Sequence, residues 1–138
     1  MSKKSAKIAA MIANLQGSEL DAHYLGYFEC FNQQLFYEAH DVLEELWLSQ
    51  RQQPNDLFYK GLIQLAGAFV HLQKERLQPA GSLFRLARTN ISRYPAQHEK
   101  LDVTSVLGLI EDWLSRLEDG PENPLKSGSV PVLTLVGR

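Results

Sequence analysis

Five polar side chains near the middle of the chain have the types and spacing that metal or acid–base chemistry needs. Glu38, His40 and Glu44 fall in one short stretch, and Gln64 and His71 follow in a second. Two histidines with one or two carboxylates form a ligand set that Zn, Mn or Fe accepts, and a catalytic site keeps one position open for water. A metal-bound water of lowered pKa would act as nucleophile, with Glu38 or Glu44 as base.

The first stretch predicts an amphipathic helix from about Phe36 to Ser49. Each helical residue advances about 100° around the axis, which places Glu44 about 40° from His40, at the edge of an apolar arc. Glu38 falls on the far side, where a carboxylate is least costly to leave in water. We therefore expect His40 and Glu44 to face a neighbouring helix, where their i, i+4 spacing allows them to share one metal ion.

The second stretch predicts a helix of about residues 56–74 that is apolar around most of its circumference, which is typical of the buried centre of a fold. Its polar residues Lys60, Gln64 and His71 form one stripe, and the small residue Gly67 lies beside them. An unpaired buried polar group costs about 1–3 kcal/mol, so this stripe needs a polar partner. Small residues beside the stripe would let another helix approach.

The partner that fits the stripe is the edge formed by His40 and Glu44. We expect His40, Glu44, Gln64 and His71 to form one cluster between the two helices, with Trp47 as an apolar wall. In this hypothesis His40, Glu44 and His71 bind a divalent metal such as Zn, Mn or Fe, and Gln64 orients the ligand.

Two other interpretations of the cluster stay open. It could be a structural hydrogen-bond network that fixes the register of two helices, or it could bind a small molecule or a partner protein without metal. The His-Glu-x-x-His motif of zinc proteases and the paired Glu-x-x-His motifs of di-iron bundles do not occur in the sequence. Whether the protein is an enzyme is therefore left open.

The elements that must position these residues are helices. Apolar residues recur at helical spacing through residues 8–15, and Ser18 and Asp102 are candidate N-caps of the second and sixth helices. The sequence predicts an all-α fold, a single bundle of five to six helices around the helix of residues 56–74. It divides the chain into a bundle of residues 1–119 and a Pro/Gly/Ser-rich extended tail of residues 120–138. Residues 130–136 of this tail favour a β-strand that has nothing to pair with in a helical fold, so we expect them to dock as an extended tail or to stay mobile.

Composition and charge exclude several classes of protein. The net charge is −2, and the chain lacks the basic character of a nucleic-acid binder. Its most apolar stretch, residues 61–72, is too short to span a membrane. The single cysteine, Cys30, cannot form an internal disulfide, which favours a reducing compartment and a cytoplasmic location.

The motifs resemble the domain-of-unknown-function family 309 over about residues 24–117. The residues that carry the resemblance are Phe31-Asn32, Phe36-Tyr37-Glu38-Ala39-His40-Asp41, Leu43-Glu44, Trp47, Gly61-Leu62-Ile63-Gln64-Leu65-Ala66 and His71. The resemblance implies an all-helical bundle and a metal-dependent hydrolase. It also implies that Glu38, His40, Glu44, Gln64 and His71 are the polar motif positions. The family usually has a glycine before the third helix, where this chain has Gln34.

The alternative function comes from another class, that of a non-enzymatic helical module that binds a partner protein. An exposed apolar patch on the first or last helix would favour it. Self-association also stays open, because Ile8, Met11 and Ile12 could pack against a second copy.

Overall fold

The computed structural model describes residues 2–137, and its architecture is helical, which confirms the predicted all-α class. Within these residues the helices are α1 (Lys3–Met11), α2 (Ala22–Asn32), α3 (Phe36–Ser49), α4 (Asp56–Gln73), α5 (Leu77–Ile91) and α6 (Val103–Asp119). Short 3-10 helices span Ala13–Leu15 and Pro124–Ser127, and a hairpin joins β1 (Gln97–His98) to β2 (Leu101–Asp102). Residues 1 and 138, the outer limits of the two predicted segments, lie outside the described part.

Helix α4 is the centre of the molecule, as its nearly continuous apolar surface predicts. Phe69 illustrates this position, because its ring is fully buried and lies 4.9–5.6 Å from four other aromatic rings. These rings come from α2, α3, α5 and α6, and they belong to Phe31, Phe36, Phe84 and Trp113. One side chain of α4 therefore joins four surrounding helices.

Helix α1 packs outside this main core. Ile8 and Ile12 are almost completely buried, and they form a small separate apolar cluster with Ala22 of α2 and Val42 of α3. The apolar residues proposed above for self-association are thus largely used within the chain, and only Met11 of that set remains half-buried.

The N-cap of α2 differs from its predicted position. Asp21, and not Ser18, caps α2, because its side chain accepts a hydrogen bond from the His23 backbone N–H. The predicted cap of α6 is confirmed, since Asp102 accepts from the Ser105 N–H at 3.0 Å.

The tail of residues 129–137, which we call the C-terminal strap, crosses the bundle in an extended conformation. The expectation that this segment has no strand to pair with is wrong, because Leu135 forms an antiparallel bridge with Leu101 of β2. The sequence gives little sign of this hairpin, whose turn residues Glu99 and Lys100 both have positive φ. The Tyr24 hydroxyl holds the turn in place by donating to the Glu99 carbonyl at 2.9 Å.

Gln34 lies in the left-handed region, with φ of 64°, where α2 ends. The backbone N–H groups of Gln34 and Leu35 donate to the carbonyls of Phe31 and Cys30, which is the Schellman arrangement. Glycine is favoured at this position because a Cβ strains left-handed backbone.

Replacing Gln34 by glycine is therefore expected to stabilise the protein by about 1 kcal/mol. The Gln34 carbonyl, which accepts from the Gln73 side chain, is retained in this variant. Gln33→Gly is the matched control, because Gln33 has φ of −91° and gains no relief of strain. Urea unfolding measures both variants, and a loss of stability in Gln34→Gly would contradict the prediction.

Candidate functional site

The apolar side of α3 forms from Phe36, Ala39 and Leu43, which are fully buried, and this fixes the direction of the motif residues. His40 and Glu44 then lie at the border of the core, with about a third of each side chain exposed, 32% and 31%. The His40 Nε2 atom is 3.9 Å from Glu44 Oε2, so the structure brings these two predicted residues together.

The carboxylates around His40 are occupied by contacts within the protein. Lys4 of α1 places its ammonium 3.2 Å from Glu44 Oε1 and 3.3 Å from Asp41 Oδ1. Asp41 Oδ1 also lies 3.2 Å from His40 Nδ1. Partial burial alone would lower the pKa of Lys4, but the hydrogen bond to Glu44 and the charge of Asp41 raise it above its ordinary value. These residues therefore attach α1 to α3.

Glu38 points away from His40, as the helical periodicity predicts. It lies on the α2 side, where burial first, and then the negative charges of Glu38 and Glu29, raise the pKa of the Cys30 thiol. The role of Glu38 as a base stays a prediction.

Gln64 faces α5, not α3. Its Oε1 atom accepts a hydrogen bond from Asn90 Nδ2 at 2.8 Å. The small residues of the same stripe admit the same helix, because a Cβ at Gly61 would lie 2.6 Å from Ile91 Cγ1 and one at Gly67 would lie 3.2 Å from Leu83 Cδ1. The polar stripe of α4 is thus the α5 contact.

Helix α3 packs on another side of α4. The rings of Phe36 and Phe69 stack at 5.0 Å, and the Trp47 Nε1–H donates to Asp56 Oδ1 at 2.7 Å. The expectation that the stripe of Gln64 meets the edge of His40 and Glu44 is therefore wrong. Two helices of similar length flank α4, and the sequence does not determine which one its polar stripe faces.

Asp56, the first residue of α4, links the end of α3 to the loop between the two helices. It accepts hydrogen bonds from the Gln52 backbone N–H and from Trp47, and these lower the pKa of its carboxyl group. Trp47 is thus a hydrogen-bond donor to the start of α4. The sequence signal for this contact is the indole donor of Trp47 and the carboxylate acceptor of Asp56, which lie on either side of the short polar loop of residues 50–55.

His71 is half-buried near the end of α4, and its Nδ1 atom is enclosed by protein without a hydrogen-bond partner. Burial, followed by the positive charges of Arg76 and Lys74, lowers the pKa of its imidazole. The fold therefore favours neutral His71.

This gives the stability of the protein a pH dependence. Because the folded-state pKa of His71 is lowered, its contribution is fully present above about pH 6.5 and is lost as the pH falls through the folded-state value. The difference in urea midpoint between wild type and His71→Gln should therefore move against wild type between pH 7.5 and pH 5. An unchanged difference across this range would contradict the lowered pKa. His71→Gln retains a polar group and is compared with His40→Gln as control.

The predicted ligands thus belong to separate contacts. Within residues 2–137, no group of three or more His, Cys, Asp or Glu side chains is arranged to hold a metal ion. His40 and Glu44 form one pair, whereas Gln64 belongs to the α4–α5 contact. The chemistry that this arrangement supports directly is the linking of helices by polar contacts.

A second candidate site is an apolar groove beside the last helix, which we call the strap groove. It is a cavity of about 330 Å³ between the N-terminal half of α6 and the C-terminal strap. Its apolar lining comes from Leu101, Val106, Leu109, Val132, Leu133, Leu135 and Val136. Val132 and Val136 are about half exposed, 54% and 46%, so the groove is open to solvent.

The strap exposes three valines and one threonine, Thr134, to solvent. Leu133 and Leu135 point inward and are buried, whereas Val130, Val132 and Val136 point outward and are exposed. A strand with one face in water normally alternates apolar and polar residues, so an outward row of valines is unusual. The sequence predicts that residues 130–136 are β-prone, but it does not predict a role for the valines among them.

The chain has a family match over part of its length. Residues 24–83, somewhat less than half of the chain, match the model of the family described as domain of unknown function (DUF309). The resemblance predicted from the sequence is confirmed over this segment, which runs from α2 into α5. Neither the curated proteins nor the solved structures compared with the chain include a match to it. Of the helices in residues 2–137, none is long and apolar enough to cross a bilayer.

Proposed function

We propose that this chain, whose residues 24–83 match the DUF309 family, is a non-enzymatic helical module that binds a partner protein. In this proposal the polar motif residues are structural. Glu44 attaches α1 through Lys4, and Gln64 attaches α5 through Asn90. The motif residues then stabilise the packing of the helices, and the binding surface lies elsewhere on the protein.

The observation that carries the proposal is the exposed valine row beside the strap groove. Val130, Val132 and Val136 are exposed, with Thr134 between the last two, and the groove of about 330 Å³ extends from Val132 and Val136 to Leu109 of α6. Asp102, Ser105 and Thr134 are the polar residues of its lining. Contiguous exposed apolar surface on a small protein is typical of an interaction site. An apolar segment of another protein would cover the valines and fill the groove.

The charge of the chain supports a protein partner in preference to nucleic acid. The net charge is −2, and the arginines of α5 are neutralised, since Arg85 pairs with Glu118 and Arg88 with Glu111. A nucleic-acid binder needs unpaired basic surface to neutralise phosphates. A cytoplasmic location is also part of this proposal, because Cys30 has no second cysteine in the chain with which to form a disulfide.

Site-specific photo-crosslinking tests the proposed surface. A photoreactive amino acid at Val132 of the full-length protein should give a discrete protein adduct in living cells, because position 132 lies within the apolar surface. The same amino acid at Gln78, an exposed position of α5, serves as the control and should not. Val136→Lys should reduce the adduct at position 132 by at least tenfold. Equal labelling at both positions, or none at Val132, would overturn the proposal.

A further inference from the structure

The C-terminal strap lies in a channel whose walls are α2, β2 and α6. Leu133 and Leu135 fill the bottom of the channel and are 4% and 6% exposed. Their spacing of two residues matches an extended chain, in which alternate side chains face the same way. The strap is thus held as a short peptide would be.

The polar contacts of the channel recognise backbone only. The Asn32 side chain donates from Nδ2 to the Leu133 carbonyl and accepts at Oδ1 from the Leu133 N–H, both at 2.8 Å. Farther along, the Val136 N–H donates to the Lys100 carbonyl at 2.7 Å. Any extended segment with a leucine at each of the two inward positions could make the same contacts.

The strap fills its channel only in part. The strap groove lies on the α6 side, and a second cavity of about 180 Å³ lies on the α2 side, next to Leu25, Phe28 and Asn32. A closely packed core segment is costly to remove because each of its atoms loses many van der Waals contacts. A segment with open space on both sides loses fewer contacts when it leaves.

The strap can also move without the segment that precedes it. Asn123 is buried, and its Nδ2 atom donates to the Leu72 carbonyl at 2.5 Å, which anchors the chain just before the 3-10 helix. Gly128, with φ of 91°, follows that helix in the left-handed region. Residues 128–130 are exposed, and they form the connection between this anchor and Pro131, the first buried residue of the strap.

We propose that the strap exchanges between two copies of this chain, so that the channel of one copy binds the strap of the other. A second copy is the occupant because it carries the same Leu133 and Leu135 and makes the same contacts to Asn32 and Lys100. Exchange of an identical element requires no new recognition. The proposal goes beyond the proposed function and does not depend on it, because the channel is on the inner side of the strap.

Concentration decides which arrangement forms. A short flexible connection gives a tethered segment an effective concentration in the millimolar range, so the wild-type strap stays in its own channel at micromolar concentrations. A mixture of one copy with a defective channel and one with a defective strap removes this advantage, because an intact contact then forms only by exchange. The exchanged form then becomes measurable at ordinary protein concentrations.

Complementation between two full-length variants tests the exchange. Asn32→Ala leaves the strap intact but removes the side-chain amide with which the channel binds the Leu133 backbone. Leu133→Asp leaves the channel intact but places a charge at a buried position of the strap. In a solution of either variant alone, every molecule lacks an intact strap or an intact channel, so no strap–channel contact forms between copies. Each variant should therefore be monomeric by light scattering at about 200 µM. Their equimolar mixture has one intact strap for one intact channel, and its mass should double.

A labelled peptide with the sequence of residues 128–138 provides the second measurement. It should bind Leu133→Asp at least tenfold more tightly than Asn32→Ala, and circular dichroism checks that both variants retain their helices. Leu135→Ala replaces Leu133→Asp if that variant does not fold. A mixture that stays monomeric, or equal peptide binding by the two variants, would overturn the proposal. Crosslinking at Val132 does not require exchange, so its outcome is independent.

Discussion

Replacing Phe69 by alanine is expected to lower the free energy of unfolding by about 3–5 kcal/mol, the usual cost of removing a buried phenyl ring. The ring is fully buried and lies within 5.6 Å of rings from α2, α3, α5 and α6. Few of these helices can shift to close the cavity without disturbing another. The melting temperature should fall by about 10–20 °C.

Tyr37→Ala is the matched control for the loss of an aromatic ring. Tyr37 lies on the outer side of α3 and is 57% exposed, so its removal should change the stability by less than about 0.5 kcal/mol. Urea unfolding monitored by circular dichroism measures both variants. Equal losses in Phe69→Ala and Tyr37→Ala would mean that α4 is not the common centre of the bundle.

Gly61→Ala is expected to destabilise the protein, although alanine is the better helix former. The added Cβ would lie 2.6 Å from Ile91 Cγ1 and 3.3 Å from the Ile91 backbone nitrogen, so α5 would have to move away. Overpacking costs about 1–3 kcal/mol, which exceeds the gain of about 1 kcal/mol in helix propensity. The same displacement would disturb the hydrogen bond between Gln64 and Asn90.

Gly108→Ala is a control for which the free energy of unfolding is expected to rise and not to fall. Gly108 lies inside α6, is exposed, and has nothing within 4 Å of the position of a Cβ. Alanine there should stabilise the protein by about 0.5–1 kcal/mol. If Gly61→Ala stabilises the protein as Gly108→Ala does, the close approach of α4 and α5 is not as described.

Much of the architecture could be predicted from the sequence because it depends on local patterns. The apolar circumference of residues 56–74 predicts a central helix, and the structure has α4 there. Asp102 is an N-cap because its side chain is the acceptor nearest to the first free N–H groups of α6. Ser18 fails in the same role because Asp21 provides a carboxylate closer to the start of α2.

The contents of the candidate site were harder to predict because they depend on which helices are neighbours. Periodicity places Gln64, Gly67 and His71 on one side of α4, and the structure agrees. It does not decide between α3 and α5 as the partner of this side. Long-range pairing of this kind has no local signal.

The strap illustrates a second limit. Its contact partners, Asn32 and Leu101, are distant in sequence, and the hairpin that supplies Leu101 has only two residues in each strand. The hairpin turn uses Glu99 and Lys100 where glycine or asparagine would be the usual signal. Sequence patterns identify a β-prone tail but not its docking site.

The measurement that tests the account most directly is a calorimetric titration of the tag-free protein with Zn²⁺ and with Mn²⁺. If the polar motif residues serve only as contacts between helices, His40→Ala and His71→Ala should give the same heat of titration as the wild type with either metal. A metal-dependent hydrolase would bind one ion per chain and would lose this binding in each of the two variants. Stoichiometric binding that both substitutions abolish would contradict the structural role proposed for the motif.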